Sequence, residues 1–406
     1  MKPFLSILIP TRNRCEYLKY TIQSAINLPS NEIEIIVSEN FSFDASLDVC
    51  NSFSDGRLSV VRPTKPLSMH ENFEFLLKQS SGEWVIFVGD DDAVMPHCME
   101  HLKYLCNKYP QAEAILSPRA YYFWDGCQEE YGAVSADFAF NLGEQWKDSK
   151  KQLQLCLNGN LDYINLPQMY SGGFHRRSLI NRVLRAQNGQ YFKSVTPDAY
   201  TALMACIFTY RYLETGVPMT WVGSSPHQAL KAGKSSSKDR DADFFKMHSG
   251  DSLTINKTLG DLKVFTFTLV FYEAFISAFP LTPYSELSRD KVRSLYLDAV
   301  MKLRSRGDEA AVTKLAGELG FDVPPRNSVY LFLLNFYKRI MRKLVREFTC
   351  TKNHFFTKIR KAPFTPVFKY TSHSHQDHPD ILACDSLLSE GYSKWIKINN
   401  TRVLKK

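Results

Sequence analysis

Three aspartates in a row, Asp90, Asp91 and Asp92, follow directly on the apolar run Trp84–Val88 and Gly89. Adjacent carboxylates repel one another and raise each other's pKa. A hard divalent cation relieves that repulsion, and Mg2+ or Mn2+ is commonly held by one or two carboxylates completed by substrate phosphates. The bland alternative is an acidic turn capping a helix that begins near Pro96, with Asp92 or Ala93 near the cap. A second candidate is Glu39, just past the apolar run Ile33–Val37. A carboxylate at a strand end can accept hydrogen bonds from ribose hydroxyls or a base edge, or it can belong to a plain strand–turn–helix in which Asn40, Ser42 and Asp44 are turn and cap residues. The third is Thr11-Arg12-Asn13-Arg14, after the first apolar run. Its arginines could meet phosphates or a base, or simply be solvated.

Such groups need a frame that gathers strand ends. The first hundred residues supply one: strands at Phe4–Ile9, Ile33–Val37, Leu58–Val61 and Trp84–Val88 alternate with helices at Tyr17–Asn27, Phe43–Phe53 and His70–Gln79. Strands that are apolar throughout and separated by helices imply a parallel sheet covered on both faces, an α/β architecture. In open sheets of this kind ligands bind at the carboxyl ends of the strands. Further on, Ala114–Ser117 and Tyr121–Trp124 read as strands, and Trp146–Leu157 and Ala199–Thr209 as helices. From about residue 250 the pattern is mainly helical, through Lys263–Ala278 and Asp290–Arg304. The expected organisation is a catalytic domain over 1–230, a loop or linker over 231–250, a helical region over 251–370 and a polar tail over 371–406.

The chain has 406 residues, 23% of them charged and 44% hydrophobic, which excludes a disordered, collagen-like or coiled-coil protein. Its net charge of +8 is concentrated between Leu331 and Tyr370, where ten Lys or Arg stand against one Glu. That distribution argues against a nucleic-acid-binding body and for one local acidic partner. Within it, Tyr330–Phe348 carries an apolar stripe flanked by Lys338, Arg339, Arg342, Lys343 and Arg346. The stripe suits either an anionic membrane surface or packing on the catalytic domain. Nine cysteines without a Cys-x-x-Cys pair favour a reducing compartment. The run Phe4–Ile9 is too short for a secretory signal. Val264–Phe279, with Glu273 inside it, is short of the roughly 20 residues needed to span a bilayer, so it is expected to be a buried helix. His97 and His101, with Cys98 and Cys106 nearby, have a spacing that can hold zinc, although helix surface is the simpler reading. His373-Ser-His-Gln-Asp-His378 could bind metal adventitiously.

Taken together, Ser6-Ile-Leu-Ile-Pro-Thr-Arg-Asn-Arg14, Val37-Ser-Glu-Asn-Phe-Ser-Phe-Asp44 and Gly82-Glu-Trp-Val-Ile-Phe-Val-Gly-Asp-Asp-Asp92 resemble the successive motifs of family 2 glycosyltransferases, in order and spacing across residues 4–96. The resemblance implies a GT-A fold, a Rossmann-like mixed sheet flanked by helices, with the C-terminal third as a mainly helical extension. It extends to the nucleotide-sugar enzymes of bacterial polysaccharide and O-antigen (lipopolysaccharide) synthesis. It implies that Pro10, Thr11, Arg12, Arg14, Glu39, Asn72 and Asp90 bind the donor nucleotide. Asp91 takes the main metal position, with Asp92 and His227 as further candidates, for Mn2+ or Mg2+. Tyr170-Ser-Gly-Gly-Phe-His-Arg-Arg-Ser178 is similar to the acceptor side, and Val195-Thr-Pro-Asp-Ala-Tyr200 to the segment carrying the catalytic base, which falls on Asp198. Asp198 could instead cap its helix, and Asp162 and Asp137 are the next candidates for the base. The sequence departs from the family pattern at Glu39, where Asp is usual, and at Phe41, where Gly is common.

The function implied is metal-dependent, inverting transfer of a sugar from a nucleotide sugar, UDP-linked by preference, to a hydroxyl of a glycan or lipid-linked acceptor. The setting expected is the cytoplasm or the inner face of the cytoplasmic membrane, with no nucleic-acid partner. A nucleotidyltransferase that makes activated sugars is the main rival; it would normally show a Gly-rich phosphate loop after the first strand, where this chain has Pro10-Thr-Arg-Asn-Arg14. A non-catalytic glycan-binding relative would be expected to lose the acidic triplet, which is intact.

Overall fold

A computed structural model describes residues 2–127, 136–141, 143–158 and 160–226, with shorter pieces within 271–325, 367–372, 380–385 and 392–393. Strands β1 (Leu5–Thr11), β2 (Ile33–Glu39), β3 (Leu58–Val61) and β4 (Trp84–Phe87) alternate with helices α1 (Cys15–Ile26), α2 (Ser46–Asn51) and α3 (Met69–Gln79). There follow β5 (Ala93–Val94), α4 (Cys98–Lys108), β6 (Ala114–Leu116), β7 (Ala120–Phe123), β8 (Ala136–Asn141), β9 (Glu144–Asp148), α5 (Ser149–Leu157), β10 (Gly173–Arg176), α6 (Arg177–Ala186), α7 (Pro197–Phe208), β11 (Arg211–Thr215) and β12 (Thr220–Ser224). Beyond them lie α8 (Glu309–Leu319) and β13 (Val367–Ser372). Among the described residues one sheet of eight strands runs β3-β2-β1-β4-β10-β6-β11-β9, and a second of five runs β13-β8-β7-β12-β5. The strands β3, β2, β1 and β4 are mutually parallel and β10 enters antiparallel, so the large sheet is mixed.

The unbroken apolar strands follow from burial on both faces. Along β1, Leu5, Ile7 and Ile9 pack with α1 and α4 through Leu18, Ile22, Leu102 and Leu105. On the other face, Leu8 joins Ile36 and Phe87 against α3, α6 and α7, through Leu76, Leu77, Ile180 and Leu203. Each fully buried Leu or Ile contributes about 1.5–3 kcal/mol of transfer free energy. The expected buried helix in the Val264–Phe279 stretch is represented by Phe271, Ala274, Phe275 and Ala278, which are helical and lie in this second core. Tyr296, Leu297, Val300 and Leu303 instead make a separate small core with α8.

Two expectations change. The single helix anticipated over Trp146–Leu157 is strand β9 followed by α5. Residues Glu144–Asp148 pair antiparallel with Arg211–Thr215, and Asp148 caps the helix by accepting from the Lys151 N–H at 2.8 Å. The spacing of apolar residues did not distinguish an edge strand from a first helical turn. The boundary drawn at residue 370 falls inside β13, which pairs with β8. The polar tail beyond it contributes Ile381 and Cys384 to a core with Tyr17, Trp124 and Trp221. Asp385 there accepts a hydrogen bond from the Trp221 indole at 3.1 Å.

Burial pushes the Asp385 carboxyl up to about 7. Its folded pKa therefore exceeds the unfolded one, so the stability tied to its protonated form is complete below about pH 4 and lost as pH rises through 7. Asp385→Asn, which keeps an acceptor for Trp221, is expected to be more stable than wild type at pH 8 by roughly 1–3 kcal/mol. The advantage should vanish near pH 4. Melting temperatures of the two proteins across that range check this; a pH-independent difference would count against it.

Candidate active site

The parallel register gathers the carboxyl ends of β1, β2 and β4. Thr11 lies opposite Glu39, and the Val88 N–H donates to the Leu8 carbonyl at 2.9 Å, bringing the acidic triplet beside the β1 loop. That loop and the β2 loop are stitched together. The Asn13 N–H donates to Ser42 Oγ (2.9 Å), the Phe43 N–H to Asn13 Oδ1 (2.7 Å), the Cys15 N–H to Asp44 Oδ2 (3.0 Å) and the Arg14 N–H to Ser46 Oγ (3.2 Å). Asn13 and Phe41 both adopt left-handed backbone, φ 57° and 55°, a conformation that non-glycine residues hold only when surrounding structure over-determines it. The Phe41 ring is covered by the Arg62 guanidinium, 4.5 Å from its centroid.

Glu39 is fully buried and faces its own loop. Its Oε1 accepts from the Ser42 N–H at 2.5 Å, and Oε2 lies 2.9 Å from Arg62 Nε. Arg62 is a partner that the sequence reading did not find. Asn72 is buried on α3 and accepts from the Ser38 hydroxyl at 2.6 Å. Pro10 is partly buried at the end of β1 and Arg12 is exposed.

The three aspartates take different neighbours. Asp90 Oδ2 accepts from the Thr11 hydroxyl at 2.9 Å, and its Oδ1 lies 3.3 Å from Arg14 Nε. Asp91 Oδ2 is 2.6 Å from Arg14 Nη2 and accepts from Ser225 Oγ at 2.7 Å. Asp92 is drawn into the protein: Oδ2 accepts from the Gly89 N–H (2.9 Å) and the Ser171 hydroxyl (2.5 Å), and Oδ1 from the Gly223 N–H (2.7 Å). It clamps β4 to β12 and to the Tyr170–Ser171 turn. Strand β12 can come this close because residue 223 is glycine; a Cβ there would stand 1.7 Å from the Asp91 carbonyl oxygen. The triplet caps no helix. Helix α4 begins at Cys98, with His97 in the cap position and β5 intervening.

Burial, above all, raises the carboxyls of Asp90 and Asp92. The charge of Asp91 raises both further, while Arg14 pulls Asp90 back. Burial also works against the Arg14 charge, but Asp90 and Asp91 outweigh it and hold the guanidinium more firmly protonated than usual.

Asp198 stands in the first turn of α7, after Pro197, with Thr196 rather than Asp198 in the cap position. The Tyr163 hydroxyl donates to its Oδ2 at 3.1 Å. Desolvation raises the Asp198 carboxyl, against the opposing pull of the helix N–H groups, Tyr163 and Arg119. Burial, and after it the charges of Asp92, Asp91, Asp198 and Asp90, raise the Tyr170 hydroxyl. A Cβ on Gly89 would lie 2.5 Å from it. Asp162 is exposed, and Asp137 accepts from Thr371 on β13 at 3.1 Å. His227 lies outside the described residues, as does most of 331–370. The same loop supplies Ser225, which the sequence reading passed over in favour of the histidine.

Carboxylate oxygens are hard donors suited to Mg2+ or Mn2+. Asp91 Oδ1 accepts no hydrogen bond among the described residues. No three His, Cys, Asp or Glu side chains among those residues form a group that could hold a metal. The donor that Asp91 itself offers a hard cation is Oδ1, and one or two carboxylates completed by substrate phosphates is a common way of holding Mg2+ or Mn2+. The zinc spacing at α4 is packing: His97 and His101 are buried, within hydrogen-bond distance of the Pro218 carbonyl (2.8 Å) and Thr215 Oγ1 (2.9 Å) respectively. The eight described cysteines form no disulfide among the described residues. No helix among the described residues is long and apolar enough to cross a membrane.

The fold is a mixed α/β sheet with an acidic triplet at the end of one of its parallel strands. Residues 6–134 match the profile described as Glycosyl transferase family 2. It is 31% identical over 109 residues to the GalNAc(5)-diNAcBac-PP-undecaprenol beta-1,3-glucosyltransferase of Campylobacter jejuni, covering 26% of this chain and 35% of that one. It is 27% identical over 114 residues to an uncharacterized glycosyltransferase of Rickettsia typhi, covering 28% and 35%. The matches thus span about a third of these relatives' length. Among solved structures, S. aureus TarS 1–349 in complex with UDP-GlcNAc aligns with a TM-score of 0.44 at 13% identity, over 80% of this chain and 93% of that one. The mannosyltransferase PcManGT from Pyrobaculum calidifontis, in complex with GDP-Man and Mn2+, aligns with a TM-score of 0.39 at 14% identity, over 80% and 89%.

Proposed function

We propose that the protein is a metal-dependent, inverting glycosyltransferase that moves a sugar from a nucleotide sugar, UDP-linked by preference, onto a hydroxyl of a glycan or lipid-linked acceptor in surface-polysaccharide synthesis. The observation that carries the reading is the meeting of Asp90, Asp91 and Arg14 at the strand ends. Asp91, with Asp90 beside it, would hold Mg2+ or Mn2+, and Asp92 would brace them. When bound, the cation neutralises charge on the leaving nucleoside diphosphate. Thr11, Arg12 and Arg14 would line the nucleotide and its phosphates, with the Glu39–Arg62 pair closing the β2 side. Asp198 would take the proton of the acceptor hydroxyl as its oxygen bonds the anomeric carbon and the bond from that carbon to the phosphate oxygen breaks. The hydrogen bond from Tyr163 orients the carboxylate, and its raised pKa makes it a stronger base than an exposed aspartate. Holding donor and acceptor together supplies orientation.

A panel of nucleotide sugars tests the reading. One of them, with Mn2+, is expected to raise the melting temperature and to release its nucleoside diphosphate, and EDTA should abolish both. No response to any member of the panel would overturn the reading.

The basic, apolar-striped segment 331–370 is proposed to attach the enzyme to the cytoplasmic membrane face. Cosedimentation with anionic vesicles should be strong at 0.1 M salt and largely lost at 1 M, where the Debye length has fallen from about 10 Å to about 3 Å. Equal recovery with neutral vesicles would refute it.

A further inference from the structure

Arg14 occupies the acidic strand end. Its guanidinium spans Asp90 and Asp91, Nε at 3.3 Å from Asp90 Oδ1 and Nη2 at 2.6 Å from Asp91 Oδ2, with only 11% of the side chain exposed. Nη2 also donates to Ser225 Oγ at 2.9 Å, and that hydroxyl donates in turn to the same Asp91 oxygen. The Tyr17 ring lies beneath, its centroid 5.6 Å from the guanidinium carbon. From behind, the stitched β1 and β2 loops fix the backbone of Arg14 through Ser46. One permanent positive charge is thus built into the acidic strand end and bonded to one oxygen of each carboxylate.

We propose that Arg14 is the resident counter-ion of the Asp90–Asp91 pair, and that a divalent cation must displace its guanidinium to engage both carboxylates. The proposal rests on the reading of Asp91 as the metal carboxylate. Two carboxylates in a recess shielded from water are destabilised unless a positive charge faces them. Arg14 supplies that charge while no metal is bound and keeps the strand end folded. The same charge taxes the entering ion, because the guanidinium occupies one oxygen of each carboxylate and repels a cation at the remaining one, Asp91 Oδ1. A released guanidinium has a ready partner in the donor diphosphate, whose oxygens match its planar fork as a carboxylate does. Metal alone should therefore bind weakly to the wild-type protein. A diphosphate, by engaging Arg14, should strengthen metal binding, and by reciprocity the metal should strengthen diphosphate binding.

The test is Mn2+ binding by the full chain without donor, measured by calorimetry and by the electron paramagnetic resonance signal of free Mn2+. Wild type, Arg14→Gln, Arg14→Lys and Asp91→Asn are compared, with melting curves for each. Arg14→Gln is expected to bind Mn2+ at least tenfold more tightly than wild type. Arg14→Lys, which keeps the charge but loses the fork, should fall between them. Asp91→Asn should lose most of the binding. Affinity in Arg14→Gln equal to or below that of wild type overturns the proposal, since a purely structural arginine would leave metal affinity unchanged or lower it. If Arg14→Gln does not fold, an Arg14→Lys affinity no tighter than wild type overturns it equally. Asp91→Asn binding Mn2+ as tightly as wild type would instead overturn the metal-site reading beneath it.

Discussion

Asp91→Asn is expected to lower sugar transfer by roughly 10³-fold or more, the scale of several kcal/mol of charge stabilisation at the leaving diphosphate. An amide is a far weaker ligand for a hard cation than a carboxylate. The fold should survive. Asp90 keeps its contacts to Thr11 and Arg14, and the Asn amide oxygen can still accept from Ser225. The measurement is transfer rate at saturating Mn2+, paired with a melting curve. Activity within threefold of wild type, with the protein folded, would remove Asp91 from the metal site. The companion substitution Asp92→Asn should behave differently. It places an amide NH2 against the donors of Gly89, Ser171 or Gly223, so it should lower the melting temperature as well as the rate.

The second large effect is expected at Asp198. If this carboxylate takes the acceptor proton, Asp198→Asn should cut turnover by roughly 10²–10⁴ and leave donor affinity nearly unchanged, because Asn keeps the shape but cannot accept the proton. If the residue serves only the helix end, the change should be close to silent, since the Thr196 backbone and Pro197 already define that end. The pH profile adds a check. A base must be ionised, and burial raises this carboxyl, so turnover should fall as pH drops through a value above the ordinary aspartate range. Transfer rate, donor affinity and melting temperature on one preparation decide the matter. More than a tenth of wild-type turnover would move the base elsewhere. Of the two alternatives, Asp162 is exposed and Asp137 is engaged by Thr371.

The sequence by itself determined the alternating frame of the first hundred residues, because apolar runs and 3.6-residue spacing are local signals, and strands buried on both faces leave little ambiguity. It also singled out the acidic triplet, Glu39, Arg14 and Asp198, and put the first three at strand ends. It did not assign their roles. Asp92 resembles Asp91 in sequence, yet Ser171 and Gly223 reach it from distant segments and take both of its oxygens. Glu39 reads as a ligand group until Arg62, from the end of β3, closes on it. Strand β9 read as helix because its partner, β11, lies more than sixty residues away. The polar tail read as patternless because its order comes from contacts with β8, Trp221 and His97 rather than from its own periodicity. In each case the deciding quantity is which donor, charge or strand meets the group once water is excluded. Partners separated by tens to hundreds of residues leave no periodic trace in the chain, so only the tertiary structure could decide it.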